Sequence, residues 1–385
     1  MPTGQGARHG AKKRGDCGEK KISNHTIIFS HTRYKGMNTK KPFLIAGPCS
    51  VESREQLHDV VRSLAAMPEV TMIRCGVWKP RTRPGGFEGL GEQALEWMSH
   101  EQALPFCCEV ILPDHVEAAL RHGISTVWIG ARTTANPFMV QEITEALRGT
   151  AVQVLVKNAP SPDVKLWIGA IERFRKAGIA DVAAVHRGFD VFRNAGYRNN
   201  PIWEIPIELR RSMPDIPILC DPSHIAGRRD PLLNLSQTAL DLGFDGLMIE
   251  VHPQPDNALT DALQQLSPTA FRQMVDRLVV RQTDSRIADQ ELRLLREQID
   301  HLDNQILQLL AARFEVAQQI AHIKARENLT VFQPKRWEAV LSQRLAAAHE
   351  LGLSPDFVKH LYEAIHAESV RVQEEITNII VNHEL

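Results

Sequence analysis

The stretch Phe43-Leu44-Ile45-Ala46-Gly47-Pro48-Cys49-Ser50 reads as a short buried strand stopped by a Gly-Pro turn. An open doubly wound sheet usually follows its first strand with a glycine-rich phosphate turn, which Gly47-Pro48-Cys49-Ser50 does not match. Outward from that strand the same unit repeats. Strand-like runs are predicted at Phe43–Gly47, Val70–Gly76, Leu104–Val110, Ser125–Gly130, Val152–Asn158, Val182–Gly188, Ile216–Pro222 and Gly246–Val251. Helix-like stretches such as Glu55–Ala66, Pro113–His122 and Lys165–Ala177 separate them. Strands alternating with helices to this number predict an α/β fold, a closed (β/α)8 barrel.

The remainder of the chain reads differently. Residues 1–36 are rich in Gly, Lys, Arg and His and predict a disordered leader, with Met37 a candidate start and Ile27–Phe29 a candidate strand plugging one barrel end. The barrel is expected over 37–281, closing with a helix over 268–281, and 282–290 is expected as a linker. From 291 to 385 the pattern is purely helical. Leu292, Leu295, Ile299, Leu302, Ile306, Leu309, Val316, Ile320 and Ile323 fall at steps of three and four, with Arg313 in the phase between Leu309 and Val316, which predicts a core-facing stripe. A helix over 287–326 is roughly 60 Å long, more than so short a module can cover alone, so a homodimer formed through it is expected, with higher assembly left open. Ser354-Pro355-Asp356 supplies an N-cap, a first-turn proline and an early acid for a last helix.

Composition narrows the function classes. The chain has 385 residues, 43% hydrophobic and 24% charged, which favours two domains. A net charge of −1 excludes a general polyanion-binding surface, so no nucleic-acid partner is expected. There is no apolar run of membrane-spanning length and no secretory pattern at the start. Cys17, Cys49, Cys75, Cys107, Cys108 and Cys220 show no disulfide framework, and a reducing cytoplasm with mostly buried cysteines is expected.

The active site of such a barrel lies at the C-terminal strand ends. Those positions hold Cys49 after the first strand, Arg74 and Lys79 after the second and Glu109 at the third. Arg132 follows the fourth, Lys157 ends the fifth, Arg187 ends the sixth, Asp221 and His224 follow the seventh, and Glu250 ends the eighth. Like cations repel one another unless anions fill their ring, so five of them predict a phosphate- and carboxylate-bearing cargo. Cys49, His224, Glu250 and Asp261 offer a thiol, an imidazole and two carboxylates, a donor set for one divalent metal ion per barrel. This mix does not choose among Zn2+, Mn2+, Fe2+ and Co2+.

These residues carry a resemblance. Ile45-Ala46-Gly47-Pro48-Cys49-Ser50-Val51-Glu52, Arg74 with Lys79-Pro80-Arg81-Thr82, Ile129-Gly130-Ala131-Arg132, Asp221-Pro222-Ser223-His224 and Gly246-Leu247-Met248-Ile249-Glu250-Val251-His252-Pro253 resemble the DAHP (3-deoxy-D-arabino-heptulosonate 7-phosphate) synthases, in the shorter-barrel branch shared with Kdo8P synthases. The Lys-Pro-Arg-Thr run argues against the arabinose 5-phosphate enzyme, which stays the alternative, and Cys49 against the metal-independent members, which have Asn there. The resemblance implies condensation of phosphoenolpyruvate with erythrose 4-phosphate. It implies that Arg74, Lys79, Arg132, Lys157 and Arg187 hold phosphoenolpyruvate, that Asp221 joins the substrate contacts, and that Pro80, Arg81 and Thr82 seat the aldose phosphate. It implies the metal role of Cys49, His224, Glu250 and Asp261, and it assigns Glu109 to orienting Lys79 or a water, with a structural ion pair as the other reading.

In the helical part, Arg313 interrupts the apolar stripe, and a cation in that phase is costly unless an anion meets it. Leu295-Arg296-x-x-Ile299-Asp300, Leu309-Leu310-x-x-Arg313, Lys324, Val331-x-x-Pro334-Lys335-Arg336, and Ser369 with Gln373 resemble the all-helical chorismate mutases. The resemblance implies that Arg296, Arg313 and Arg336 bind the carboxylates of chorismate, Arg296 reaching across from a partner chain. Lys324 and Gln373 then hydrogen-bond the ether oxygen, and Ser369 joins the substrate contacts. The family usually has Glu after the position of Arg336; here Trp337 stands there, with Glu338 next. The alternative for this module is a chorismate or prephenate sensor with little turnover. Fusions of this type are often feedback-controlled, so a ligand at the helical site is expected to alter the barrel's activity.

Overall fold

The computed structural model describes residues 41–79, 85–191, 196–281 and 286–383. The expected leader, the Ile27–Phe29 strand, Met37 and Cys17 lie outside them, as do Pro80, Arg81 and Thr82. The chain divides into two compact units, up to residue 283 and from residue 284.

The first unit is a closed barrel of eight parallel strands in sequential order: β1 (Phe43–Gly47), β2 (Val70–Cys75), β3 (Phe106–Val110), β4 (Thr126–Ile129), β5 (Gln153–Lys157), β6 (Val182–His186), β7 (Ile218–Cys220) and β8 (Gly246–Glu250). Each lies inside its expected run, trimmed at the ends. Helices α1 (Arg54–Ala65), α2 (Glu92–His100), α3 (Pro113–Arg121), α4 (Ala131–Thr134), α5 (Pro137–Leu147), α6 (Val164–Lys176), α7 (Glu204–Ser212), α8 (Pro222–Ala226), α9 (Leu232–Asp241) and α10 (Pro268–Val275) occupy the connections. Their starts are written locally: Ser53 caps α1 by accepting from Gln56 N at 3.1 Å, and Pro113, Pro137 and Pro268 stand in first turns.

Two-residue periodicity separates two cores. Phe43, Ile45, Met72, Cys107, Trp128, Leu155, Ala183, Val185, Leu219 and Met248 fill the barrel, while the alternate residues meet the helices. One further inward step from Met72, Cys107, Leu155, Val185, Leu219 and Met248 reaches Arg74, Glu109, Lys157, Arg187, Asp221 and Glu250. The barrel's own alternation therefore carries charge to the mouth. On β4 the same step reaches Gly130, where a Cβ would lie 1.9 Å from Glu109 Oε1. Glycine makes room for that carboxylate. Cys75, Cys107, Cys108 and Cys220 are buried free thiols, as expected of fillers.

The second unit consists of α11 (Arg286–Arg326), α12 (Pro334–Glu350) and α13 (Pro355–His383). α11 takes up part of the stretch expected as a linker, because 286–290 simply continue its helical hydrogen-bond ladder. Within one chain the expected stripe is not covered by α12 or α13. Leu295, Ile299, Leu302, Ile306 and Leu309 are 55%, 56%, 56%, 54% and 71% exposed in the single chain. The buried residues of α11 are Ala317 and Ala321, small enough to admit α13 closely.

Candidate active sites

A cavity of about 880 Å3 opens at the C-terminal strand ends, lined among others by Lys79, Arg132, Lys157, Arg187, His224 and Asp261. Most of its charges are already engaged, which refines the expectation of a cation ring. Arg74 is 1% exposed and places Nη2 3.0 Å from Glu250 Oε1 and Nη1 3.7 Å from Asp221 Oδ2. Lys157 Nζ donates to Asp221 Oδ2 at 2.6 Å. Burial opposes ionisation of Asp221, but His224, Lys157 and Arg74 outweigh it and hold the carboxyl well below the usual range. Asp221, expected among the substrate contacts, is fully buried, its carboxylate against Lys157 and His224. Burial lowers the pKa of Lys157. Arg187 is pushed down to about 10 by burial, with Arg198 and Arg132 adding like-charge repulsion against the pull of Asp221. Arg187 Nη1 donates to Asn199 Oδ1 at 2.7 Å.

Trp128 forms the floor. Arg74 Cζ lies 5.1 Å and Lys157 Nζ 5.6 Å from its ring centroid, within cation–π range.

Beside the cavity, donor atoms of Cys49, Glu250 and Asp261 all lie within 4.8 Å of one another. His224 stands at the edge of this group, Nε2 3.6 Å from Glu250 Oε1. The local fold explains its aim. Asp221 caps α8, accepting from His224 N at 3.1 Å, and Pro222 takes the first turn. His224 Nδ1 then lies 2.7 Å from Asp221 Oδ2. With the proton on Nδ1, Nε2 presents its lone pair, the arrangement usual for ligating histidines. Asp261 has φ +48, a left-handed conformation that aspartate tolerates. Ser50 and Thr260 share a hydrogen bond, and Gln265 Oε1 accepts from Cys49 N, tying the loops after β1 and β8 together.

This donor set fits a divalent cation. Burial and then Glu250 push the Cys49 thiol up to about 12, so only a close cation would make it a thiolate ligand. Two carboxylates converge on the thiol, and buried Glu250 Oε1 completes no well-aligned hydrogen bond despite its neighbours Arg74 and His224. Burial opposes ionisation of Glu250, yet His224 and Arg74 hold its pKa below the ordinary value.

The sequence reading missed Arg198, whose Nη1 donates to Asp261 Oδ1 at 3.0 Å and to Gln264 Oε1 at 2.8 Å. Gln264 in turn donates to Glu250 Oε2 at 2.7 Å. Neither residue ends a strand, so periodicity held no signal for them. Trp128 was legible as the inward residue of β4.

In the helical unit, Arg313 Nη1 donates to Ser369 Oγ, and Lys324 Nζ donates to Gln373 Oε1 at 3.0 Å and to Val331 O. Gln373 Nε2 donates back to Ser369 O at 3.0 Å. Four of the expected residues thus meet. Arg336 is exposed at the start of α12. Arg296 is exposed on α11, about 25 Å along the helix axis from Arg313 at 1.5 Å per residue. One chain therefore does not bring those two guanidinium groups to one ligand.

Comparison with known proteins adds the following. Residues 22–287 match the DAHP synthetase I family, and residues 295–374 match chorismate mutase type II. A phospho-2-dehydro-3-deoxyheptonate aldolase of Thermotoga maritima is 32% identical over 238 residues, 61% of this chain and 68% of that protein. The T-protein of Enterobacter agglomerans is 35% identical over 79 residues, 20% of this chain and 21% of that protein. The chain thus spans about a fifth of the T-protein. A crystal structure of the Thermotoga maritima DAHP synthase superposes with a TM-score of 0.55 at 30% identity, covering 61% of this chain and 67% of that one. Among the described residues no helix is long and apolar enough to cross a membrane.

Proposed function

We infer the work of each site from the premise that this chain belongs to the DAHP synthetase I family and carries a chorismate mutase type II domain behind its barrel. The barrel condenses phosphoenolpyruvate with erythrose 4-phosphate, and the helical domain rearranges chorismate to prephenate.

One observation carries the barrel's reading: a cavity lined by Lys79, Arg132, Lys157 and Arg187 borders the Cys49–Glu250–Asp261 cluster. Phosphoenolpyruvate brings a phosphate and a carboxylate, matching a cavity that holds several cations. Arg74 and Lys157, fixed from behind by Asp221 and Glu250, hold the enol ester; Arg132, Arg187 and Lys79 complete its cradle. Pro80, Arg81 and Thr82 seat the aldose phosphate. Attack of the enol carbon on the aldehyde, addition of water and loss of phosphate shift negative charge among oxygens. Cations aimed in advance at those oxygens lower the barrier. Burial opposes the charge on Lys79, but Cys49 and then Glu109, itself buried at the mouth, raise its pKa and keep the ammonium charged. Cys49, Glu250, Asp261 and His224 would hold the divalent ion, of Mn2+, Fe2+, Co2+ or Zn2+ type. When bound, that ion supplies Lewis acidity for the aldehyde oxygen.

The chorismate rearrangement needs no nucleophile and no proton transfer, only a compact conformer and charge stabilisation. Arg313 and Arg336 bind carboxylates, Lys324 and Gln373 meet the ether oxygen, and Ser369 steadies Arg313. Arg296 reaches the site from a second copy, α11 pairing along its exposed apolar stripe, so the chain works as a homodimer. Ligand at the helical site shifts the barrel's activity.

The deciding experiment measures phosphoenolpyruvate consumption with erythrose 4-phosphate or arabinose 5-phosphate, with and without EDTA, alongside prephenate release from chorismate. Turnover with the four-carbon sugar alone, lost to EDTA and restored by divalent metal, is expected. Turnover with arabinose 5-phosphate instead assigns the barrel to Kdo8P chemistry, and saturable chorismate binding without product makes the helical domain a sensor.

A further inference from the structure

His366, Ser369 and Gln373 stand three and four residues apart on one face of α13. Ser369 and Gln373 engage Arg313 and Lys324. His366 has no part in the roles assigned above. Its ring stacks on Trp337, centroids 4.1 Å apart and planes 16° apart, and Phe332 flanks it at 5.6 Å. Its Nε2 is buried and has no hydrogen-bond partner. Burial, and then the charges of Arg313 and Lys324, lower its pKa, so the ring is neutral at pH 7.

A buried ring nitrogen without a partner carries a desolvation cost. A ligand atom that meets it removes that cost. The chemistry of the ligand then selects which atom. Chorismate carries two carboxylates, an ether oxygen and one ring hydroxyl. The arginines match the carboxylates, and Lys324 with Gln373 matches the ether. The hydroxyl is what remains, and a neutral imidazole can donate to it or accept from it. Trp337 holds the ring by its face, which leaves the imidazole edge available.

We propose that His366, propped by Trp337, is a substrate-contacting residue of the helical site whose Nε2 hydrogen-bonds the ring hydroxyl of chorismate. This rests on the mutase reading of the same site. It makes His366 a determinant of specificity, while charge stabilisation stays with Arg313 and Lys324.

The test compares kcat/KM of the full-length protein for chorismate and for an analogue lacking the ring hydroxyl, with His366→Leu and His366→Gln beside the parent. The parent is expected to prefer chorismate by about tenfold or more, as a site built to bond a hydroxyl rejects a ligand without one. His366→Leu should lose that preference while handling the analogue as the parent does. His366→Gln, which keeps a polar group near the Nε2 position, should retain part of it. A merely structural role for His366 would slow both substrates alike. Preference unchanged in His366→Leu overturns the inference, as does a parent that converts both ligands equally; in both cases the mutase reading stands. Should His366→Leu not fold, loss or retention of the preference in His366→Gln decides. A parent that neither converts nor binds chorismate overturns the mutase reading itself, and this inference with it.

Discussion

Lys79 Nζ donates to Cys49 Sγ at 3.2 Å, so one ammonium borders both the anion cavity and the thiol of the three-ligand cluster. It faces the cavity on one side and the cluster on the other. Lys79→Met should therefore lower kcat/KM of the condensation by about 10²- to 10³-fold, the range seen when one preorganised electrostatic group is removed. Steady-state kinetics on the folded variant check this; a loss under threefold would remove Lys79 from the reacting centre.

Cys49→Ala should purify without its divalent metal and stay inactive when Mn2+, Fe2+, Co2+ or Zn2+ is added. The substitution removes the soft donor and leaves Glu250 and Asp261 converging on an empty corner. Metal content by plasma mass spectrometry and turnover after reconstitution are the measurements. Undiminished turnover in this variant would sink the thiol's place among the ligands.

His186 gives a pH dependence with a definite sign. It lies on the outward face of β6 among Trp167, Phe189, Trp203 and Phe244, and burial, followed by the charge of Arg187, lowers its pKa to about 3. The unfolded chain takes up this proton near the ordinary 6.5. Between those values the unfolded state binds more protons, so the stabilisation present above 6.5 is lost as pH falls toward 3. The slope is about 1.4 kcal/mol per pH unit from this one ring. Urea midpoints of the barrel at pH 7 and pH 5 should show it, and His186→Phe should flatten it. An equal slope in both proteins would contradict the assignment.

The exposed stripe of α11 predicts assembly. Leu302→Asp with Ile306→Asp should convert the proposed homodimer to monomer in sedimentation velocity, since two charges would replace apolar side chains that are over half exposed in the single chain. Mutase activity should fall with the dimer, because Arg296 lies about 25 Å from Arg313 on the same helix. A parent chain that is already monomeric would dispose of the prediction.

Much of this architecture was legible in the sequence. Alternation along Met72–Arg74, Leu155–Lys157 and Met248–Glu250 announces strands whose last inward residue is charged, and steps of three and four from Leu292 to Ile323 announce α11. These are local periodicities, readable because a backbone repeat of two or 3.6 residues fixes which side chains share a face. Pairings were not legible. No periodicity pairs Asp221 with Lys157 and His224, or Arg198 with Asp261, as the folded chain does. Nor did the helical period say whether the stripe of α11 met its own module or another chain; the tight α11–α13 packing at Ala317 and Ala321 leaves that stripe outside. The sequence by itself determined the elements and the charged ring at the mouth. Which charges neutralise one another was decided only when barrel closure brought residues as far apart as Cys49 and Asp261 within 3.4 Å, because Coulomb and hydrogen-bond energies depend on distance through space and not along the chain.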